Sequence, residues 1–547
     1  MRGNFKDKSD KQDVTEILDK EQNIDDKEEF KQKNEVLGEK LINISSTKSN
    51  KIAKEDNIMS KEKITKRTED YSRWYLDVIA AADLADNSPV RGCMVLKPNG
   101  YAIWEKIQRV LDGKFKETGV ENAYFPLFIP LSFLTREAEH VEGFAKECAV
   151  VTHHRLKKGL GGKLVPDSPL EEPLIIRPTS ETIMYDMFSK WIQSYRDLPL
   201  LLNQWANVVR WELRTRPFLR TTEFLWQEGH TAHAEKQEAV DKTHEMLEVY
   251  RQFVEEYLAI PVIPGKKTES EKFAGAEYTT CIEALMQDGK ALQAGTSHML
   301  GQNFAKVFGV KYLDKSGREQ FVWQTSWGLS TRIVGALIMV HSDDKGLVLP
   351  PKIASTPVVI VPIWSSEDER DLAVGKANNL AQSLRKELDV NVKVDEREGR
   401  PGFKFFEWEK KGIPIRVELG PKDIANESLV LVRRDTGEKT TVKEGVAISF
   451  INNLLETIQA DLFKKALAFQ EENTHWVDDR KAFQDVLKNK GGFILAHWCG
   501  DSSCEEQIAE ETKATIRCIP FDQKKEKGKC IKCEKDSESR VIFAKAY

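Results

Sequence analysis

"RWELRTRPFLRTTEFLWQEGH", residues 210–230, holds four arginines, three glutamates and two tryptophans around one proline. Its flanks read as strands, "VVRWEL" and "TEFLWQE", joined by the loop "RTRPFLRT". Side chains alternate between the faces of a strand. The pattern therefore predicts Arg210 and Glu212 on one face of the first strand, and Phe224 and Trp226 on one face of the second. A guanidinium, a carboxylate and flat rings on one sheet suit a nucleotide: arginine for phosphate, carboxylate for an exocyclic amine, ring for base stacking. The competing reading is an exposed, ion-paired hairpin.

Outward from this stretch, helical apolar spacing appears in "GYAIWEKIQRVLDGKFKETG" and "EAVDKTHEMLEVYRQFVEEYLAI", with strand-like runs such as "PLIIRP" and "LLNQWANVVRWEL" between them. This order predicts an α+β domain over residues 61–350, an antiparallel sheet flanked by helices, rather than a doubly wound parallel sheet. No GxxxxGK[ST] loop is present. "GLVLPP" closes that domain, and the alternation that follows predicts an α/β domain over 351–456. The remainder, 457–547, carries five of the eight cysteines and predicts a small α/β unit.

The 547 residues carry a formal net charge of −5, so nucleic-acid binding would rest on local basic patches rather than a global field. There is no long apolar run of membrane-spanning length, no apolar signal core and no Arg-rich transit segment. The cysteine usage fits a reducing compartment, and a cytoplasmic location is expected. Residues 1–60 are rich in Lys, Asp and Glu with only Phe5 and Phe30 as aromatics, which predicts a disordered tail. Met59 is a plausible second start.

The pattern Arg-x-Glu, a loop, then Arg-x-x-x-Phe resembles the second signature motif of class II aminoacyl-tRNA synthetases. The longer string "RWELRTRPFLRTTEFLWQEGHTAH" resembles the prolyl-tRNA synthetase family in particular. So do "VENAYFPLFIP", "IIRPTSETIMY", "KFAGAEYTT", "QAGTSHMLGQNF", "SWGLSTR" and "GLVLPP", in the family's order, from about residue 65 to the end. The form "GLSTR" departs from the third motif of other members of the class and narrows the resemblance to the prolyl branch. The interval from Trp226 to Trp327 is too short for the editing insertion of bacterial-type members, so the resemblance is to the type without it.

The resemblance implies a ligase that activates L-proline with ATP and transfers it to tRNA(Pro). It implies that Arg210 holds the α-phosphate and the amino-acid carboxylate, and that Glu212 reads the adenine amine. Arg220 would reach the outer phosphates, Thr221 would contact the nucleotide, and Phe224 would stack on adenine. Arg332 would stack over adenine or clamp the γ-phosphate with Ser330 nearby. Gln293 would serve a Mg²⁺-linked phosphate, and Thr296 would serve ATP. Such a site needs no side-chain base: the substrate carboxylate is already ionised, and arginines with Mg²⁺ stabilise the charge that spreads over the phosphorus oxygens.

"RPTSE" reads as a helix start with Thr179 as N-cap and Glu181 in the first turn. By resemblance Thr179 and Glu181 also bind the secondary ammonium of proline, while Trp226, His230, Phe273 and His298 wall its ring. Such a pocket rejects smaller substrates weakly, so alanine misactivation without clearance in cis is expected. Pro126 would lie at a homodimer interface. In the 351–456 domain, Arg397, Lys404 and Arg416 are anticodon candidates, with Phe403 and Trp408 as stacking surfaces. Cys499-x₄-Cys504 and Cys530-x₂-Cys533 have the spacing of a four-thiolate structural zinc site, with Cys518 simply buried. Tyr547 would tuck toward the active site by resemblance. The rival readings are a catalytically dead, tRNA-binding relative and a synthetase for another small amino acid.

Overall fold

Eleven strands form one sheet in this computed structural model, which describes residues 64–137 and 147–547. The expected tail over 1–60, including Met59, lies outside the described residues. In chain order the strands are β1 (Glu121–Asn122), β2 (Leu200–Val209), β3 (Glu223–His233), β4 (Ile263–Lys266), β5 (Tyr278–Leu285), β6 (Ala291–Gly301), β7 (Trp323–Ser330), β8 (Thr474–Trp476), β9 (Phe493–His497), β10 (Thr515–Pro520) and β11 (Arg540–Ala544). Their order across the sheet is β8-β9-β11-β10-β4-β5-β6-β7-β3-β2-β1. All neighbours are antiparallel except the outermost pairs, β8–β9 and β1–β2. The antiparallel sheet expected from the sequence is therefore present.

The helices follow from their apolar spacing. α1 (Pro98–Glu117) starts on proline at its first turn, buries Ile103, Ile107, Leu111 and Phe115 along one stripe, and ends with Lys114 and Lys116 against the negative helix end. α2 (Glu181–Trp191) buries Met184, Tyr185 and Phe188. α3 (Lys236–Glu256) opens with a Glu235–Glu238 capping box and lies across β5, β6, β7 and β3, burying Met246, Tyr250 and Phe253. α4 (Arg332–His341) follows β7 directly and is apolar on nearly all sides, because it sits inside the largest hydrophobic core.

Two local expectations are corrected. The strand predicted through "VVRWEL" stops at Val209, so Arg210 and Glu212 do not share a strand face. Beyond Val209 the backbone turns away: the Arg210 amide still donates to the Thr222 carbonyl at 2.8 Å, but Trp211 donates to Glu147 instead. Arg216 and Arg220 close a tight bridge inside the loop. The N-cap position of α2 is Ser180, not Thr179, and the Ser180 hydroxyl serves Glu228 rather than the helix end.

A second core organises a five-stranded sheet, in which Val392–Val394, Val358–Pro362 and Ile415–Leu419 run parallel and Ser428–Arg433 and Lys439–Lys443 are antiparallel. Arg434 ties it to the turn after α4 with a forked pair of bonds to Asp343, 2.9 and 2.7 Å.

The domain limit expected at 456/457 falls inside one helix, α5 (Ala447–Glu472). The C-terminal segment then joins the central sheet instead of standing apart from it. Ile519 pairs with Lys266 and Pro520 with Gly265, so β10 continues the ladder of β4. The approach requires glycine at 265, where a Cβ would lie 2.6 Å from the Ile519 carbonyl oxygen. A buried ionic cluster seals the same seam. Lys267 donates to Glu283 at 2.8 Å and to the Arg517 carbonyl at 2.6 Å, and Arg517 forks onto both Glu283 oxygens at 3.1 Å. The interval between β3 and β7 is filled by α3, β4, β5, β6, a short helix and a small hairpin, with no inserted domain.

Removing one member of a buried charge cluster leaves the others uncompensated. Glu283→Ala should cost about 3–5 kcal/mol of stability, read as a lowered melting midpoint, whereas an apolar replacement of all three should recover most of it. A midpoint unchanged in the single variant would contradict this.

Candidate active site

β3, β6 and β7 lie side by side, and their register arranges the site in rows. His298 faces Ser326, which faces His230; Thr296 faces Gly328, which faces Glu228; Ser330 faces Trp226. Residues two apart on each strand point to one face, so these rows form the floor of a single cavity of about 260 Å³. The opposite face is core: a Cβ on Gly229 would lie 2.1 Å from the Trp327 indole.

Arg210 lines the cavity. Its Nε donates to the Pro178 carbonyl at 2.9 Å, and its guanidinium lies 5.2 Å from the Trp226 ring and 5.7 Å from Phe224. Arg332 enters the same cavity from the start of α4, with Nε donating to the Leu219 carbonyl at 3.2 Å. Burial pushes the Arg210 pKa down to about 10; Glu181 and Glu228 hold it up and Arg332 opposes them. Burial, followed by the charge of Arg220, lowers Arg332 as well. Arg210 is still cationic at neutral pH, with water largely replaced by protein around it.

Two carboxylates, Glu181 and Glu228, line the same cavity and act on Arg210. The Thr179 hydroxyl donates to the Glu181 carboxylate. Glu228 is buried and accepts from the Ser180 amide (3.2 Å), the Ser180 hydroxyl, Gln204 and His230 Nε2 (3.3 Å). Burial alone would raise the Glu228 pKa, but the His230 bond and charge, with Ser180 and Gln204, bring it below the usual carboxylate value. His230 is the converse case: burial would lower it, and Glu228 and Glu181 raise it. Its Nδ1 meets the Tyr185 hydroxyl at 3.1 Å. His298 differs. Burial, with the charges of His230 and Arg210, takes it down to about 3, so it is a neutral wall. It meets the Thr279 hydroxyl at 2.9 Å and lies 4.7 Å from the Phe273 ring. The indole N–H of Trp226 is buried without a hydrogen-bond partner.

Cations, aromatic walls and a carboxylate in one cavity suit an amino acid joined to a phosphate. Twelve expected residues line this cavity: Thr179, Glu181, Arg210, Phe224, Trp226 and His230 from the first half, and Phe273, Gln293, Thr296, His298, Ser330 and Arg332 from the second. Glu212, Arg220 and Thr221 do not. Glu212 accepts from Arg220 at 2.6 Å and from the Arg214 amide at 2.9 Å, and the Arg220 side chain is largely in solvent. Thr221 is buried with its hydroxyl unpartnered. Sequence reading missed Glu228, Glu271 and Thr279. The alternation Phe224, Trp226, Glu228, His230 was the available signal for the first; the other two carry none.

The four expected cysteines converge. The sulfurs of Cys499, Cys504, Cys530 and Cys533 all lie within 4.8 Å of one another, with Cys499 3.8 Å from Cys504 and 3.6 Å from Cys533. A tetrahedral, soft-ligand ion fits that donor set. Cys518 is buried, as expected.

The anticodon candidates are rearranged. Lys404 is buried, with Nζ on the Asp395 carbonyl and over the Trp364 ring, and Trp408 is buried with its indole N–H on Asp395 at 2.8 Å. Both are structural in this arrangement. Arg397 is paired with Asp395 and Glu407, and Arg416 with Glu418; Phe403 is exposed.

Comparison with known proteins agrees with the geometry. Residues 164–341 match the tRNA synthetase class II core domain (G, H, P, S and T), 357–454 an anticodon binding domain, and 480–547 the prolyl-tRNA synthetase C-terminal domain. The chain is 58% identical over 488 residues to a proline–tRNA ligase of Cytophaga hutchinsonii, covering 88% of this chain and 99% of that protein. A proline–tRNA ligase of Flavobacterium psychrophilum is 58% identical over 495 residues, covering 89% and 100%. One from Amoebophilus asiaticus is 55% identical over 490 residues, covering 89% and 100%. With a class II core, an anticodon-binding domain and these relatives, the chain belongs to the prolyl-tRNA synthetase family.

Proposed function

We propose that this ligase joins L-proline to tRNA(Pro) in two steps, with Arg210 and Arg332 as its catalytic pair. The proline carboxylate attacks the α-phosphorus of ATP and releases pyrophosphate. The 3′-terminal ribose hydroxyl of the tRNA then takes the prolyl group and AMP leaves. The supporting observation is that two half-buried arginines from distant parts of the chain enter one cavity that Glu181 also lines. Arg210 orients the carboxylate and the α-phosphate, and its charge, already in place, stabilises the pentacoordinate phosphorus. Thr179 and Glu181 accept the two ammonium hydrogens. Trp226, His230, Phe273 and neutral His298 enclose the ring, and His298 adds no charge to oppose the ammonium.

Phe224 stacks on adenine, and Ser330 and Thr296 contact ATP. Gln293 would contact the outer phosphates of ATP, whose charge a Mg²⁺ carried with the nucleotide would neutralise. Arg220 reaches those phosphates once its ion pair with Glu212 opens, which also frees Glu212 for the adenine amine, while Thr221 turns its unpartnered hydroxyl to the nucleotide. The 357–454 domain reads the anticodon, with Arg397, Arg416 and exposed Phe403 as candidates. A structural zinc ion at the four cysteines holds the C-terminal unit. A homodimer forms through the exposed run containing Tyr124, Pro126 and Phe128. The protein works in the cytoplasm; no helix among the described residues is long and apolar enough to cross a membrane.

Arg210→Ala should lower proline-dependent pyrophosphate exchange by about 10²–10³-fold without loss of the fold, as for removal of one preorganised charged donor. Near-full exchange in that variant would refute the catalytic pair. The purified protein should hold about one zinc per chain, and Cys533→Ser should lower both metal content and melting midpoint. Alanine should be activated with a barrier higher by only about 1–3 kcal/mol per missing methylene, and alanyl-tRNA(Pro) should persist in the presence of this enzyme alone. Rapid hydrolysis would contradict the last point.

A further inference from the structure

The segment from Lys267 to Gly275 leaves β4 and returns at β5, and it carries Glu271 and Phe273 into the cavity wall. Its outer end is gripped by the C-terminal unit. Besides the Lys267 contacts to Glu283 and Arg517, the Thr268 hydroxyl donates to Glu505 Oε1 at 2.9 Å and the Ser270 hydroxyl donates to Glu505 Oε2 at 2.6 Å. Glu505 and Thr268 are both buried, 4% and 3% exposed. Glu505 lies in the first turn of α6 (Ser502–Thr512), next to Cys504 of the thiol cluster. At the inner end, the Phe273 amide donates to the Thr279 hydroxyl at 2.9 Å, and that hydroxyl also meets His298.

We infer that Glu505 is a positioning residue for the amino-acid pocket: its two carboxylate oxygens take hydroxyls two residues apart and fix the segment that presents Glu271 and Phe273. A carboxylate suits this task because it offers an acceptor to each hydroxyl at once. Without it, the Thr268 and Ser270 hydroxyls keep only their 3.2 Å contact with each other, and the Phe273 ring loses its fixed distance to His298. Binding of the small substrate then requires ordering the segment first, which weakens apparent affinity. ATP, which engages Arg210, Arg332, Phe224 and Gln293, does not depend on it. The cysteine-bearing unit thus contributes to substrate selection through a hydrogen-bonded contact, in addition to any role in folding. This inference rests on the reading of the cavity as the proline pocket.

The test uses the full-length chain in pyrophosphate exchange, with proline and ATP varied separately. Glu505→Ala should raise KM for proline roughly five- to tenfold while KM for ATP stays within about twofold. Glu505→Gln, which keeps one carbonyl acceptor, should fall between it and the parent. Thr268→Val with Ser270→Ala should reproduce the rise, and adding Glu505→Ala to that pair should add little, since the residues act through one contact. An unchanged KM for proline in Glu505→Ala would overturn the inference. So would a parallel rise of both KM values, or a full Glu505→Ala effect surviving in the hydroxyl-less pair. Phe273→Ala separates the two levels. If it leaves KM for proline unmoved, the pocket reading itself fails; if it raises KM while Glu505→Ala does not, only the role of Glu505 fails.

Discussion

Two half-buried guanidinium groups that share one cavity govern this molecule. Arg210 and Arg332 lie where burial lowers their pKa values, and each is charged at the cost of desolvation that a surface arginine escapes. That cost is offset locally by carbonyls of Pro178 and Leu219, by the Trp226 and Phe224 faces, and by the carboxylates of Glu181 and Glu228. In the proposed reading, a phosphate entering the cavity completes the compensation. The site is therefore built for a charge it does not itself contain, which is the condition for electrostatic catalysis without reorganisation.

The carboxylates of the cavity follow the same logic with signs reversed. Glu228 is spent on structure, since Ser180, Gln204 and His230 occupy its lone pairs and fix the turn into α2. That leaves Glu181, bonded to Thr179, as the carboxylate placed for a ligand. His230 and His298, similar in sequence terms, diverge because one sits beside two carboxylates and the other beside cations.

The continuous sheet binds these groups to the rest of the chain. β10 extends the catalytic ladder at β4, and the Lys267–Glu283–Arg517 cluster lies on that seam, one strand away from Gln293. The C-terminal unit is thus part of the wall behind the site, and Tyr547 finishes it by docking on the core, its hydroxyl on Asp288 and its ring against Arg216 and Lys290.

The residues by themselves determined the chemistry and the sheet that carries it. Period-two alternation placed Phe224 and Trp226 on one face, and close spacing marked each cysteine pair, because both are local properties of the backbone; that the two pairs meet is decided by the fold. Tertiary structure decided which groups are spent on each other. Glu212 pairs with Arg220, Lys404 and Trp408 turn inward to Asp395, Ser180 displaces Thr179 as the cap, and the limit drawn at 456/457 dissolves into α5 and a shared sheet. These outcomes depend on partners tens to hundreds of residues away or on competition between nearby groups for one partner. No periodicity records such competition, because hydrogen bonds and ion pairs are settled only when folding brings the partners into contact.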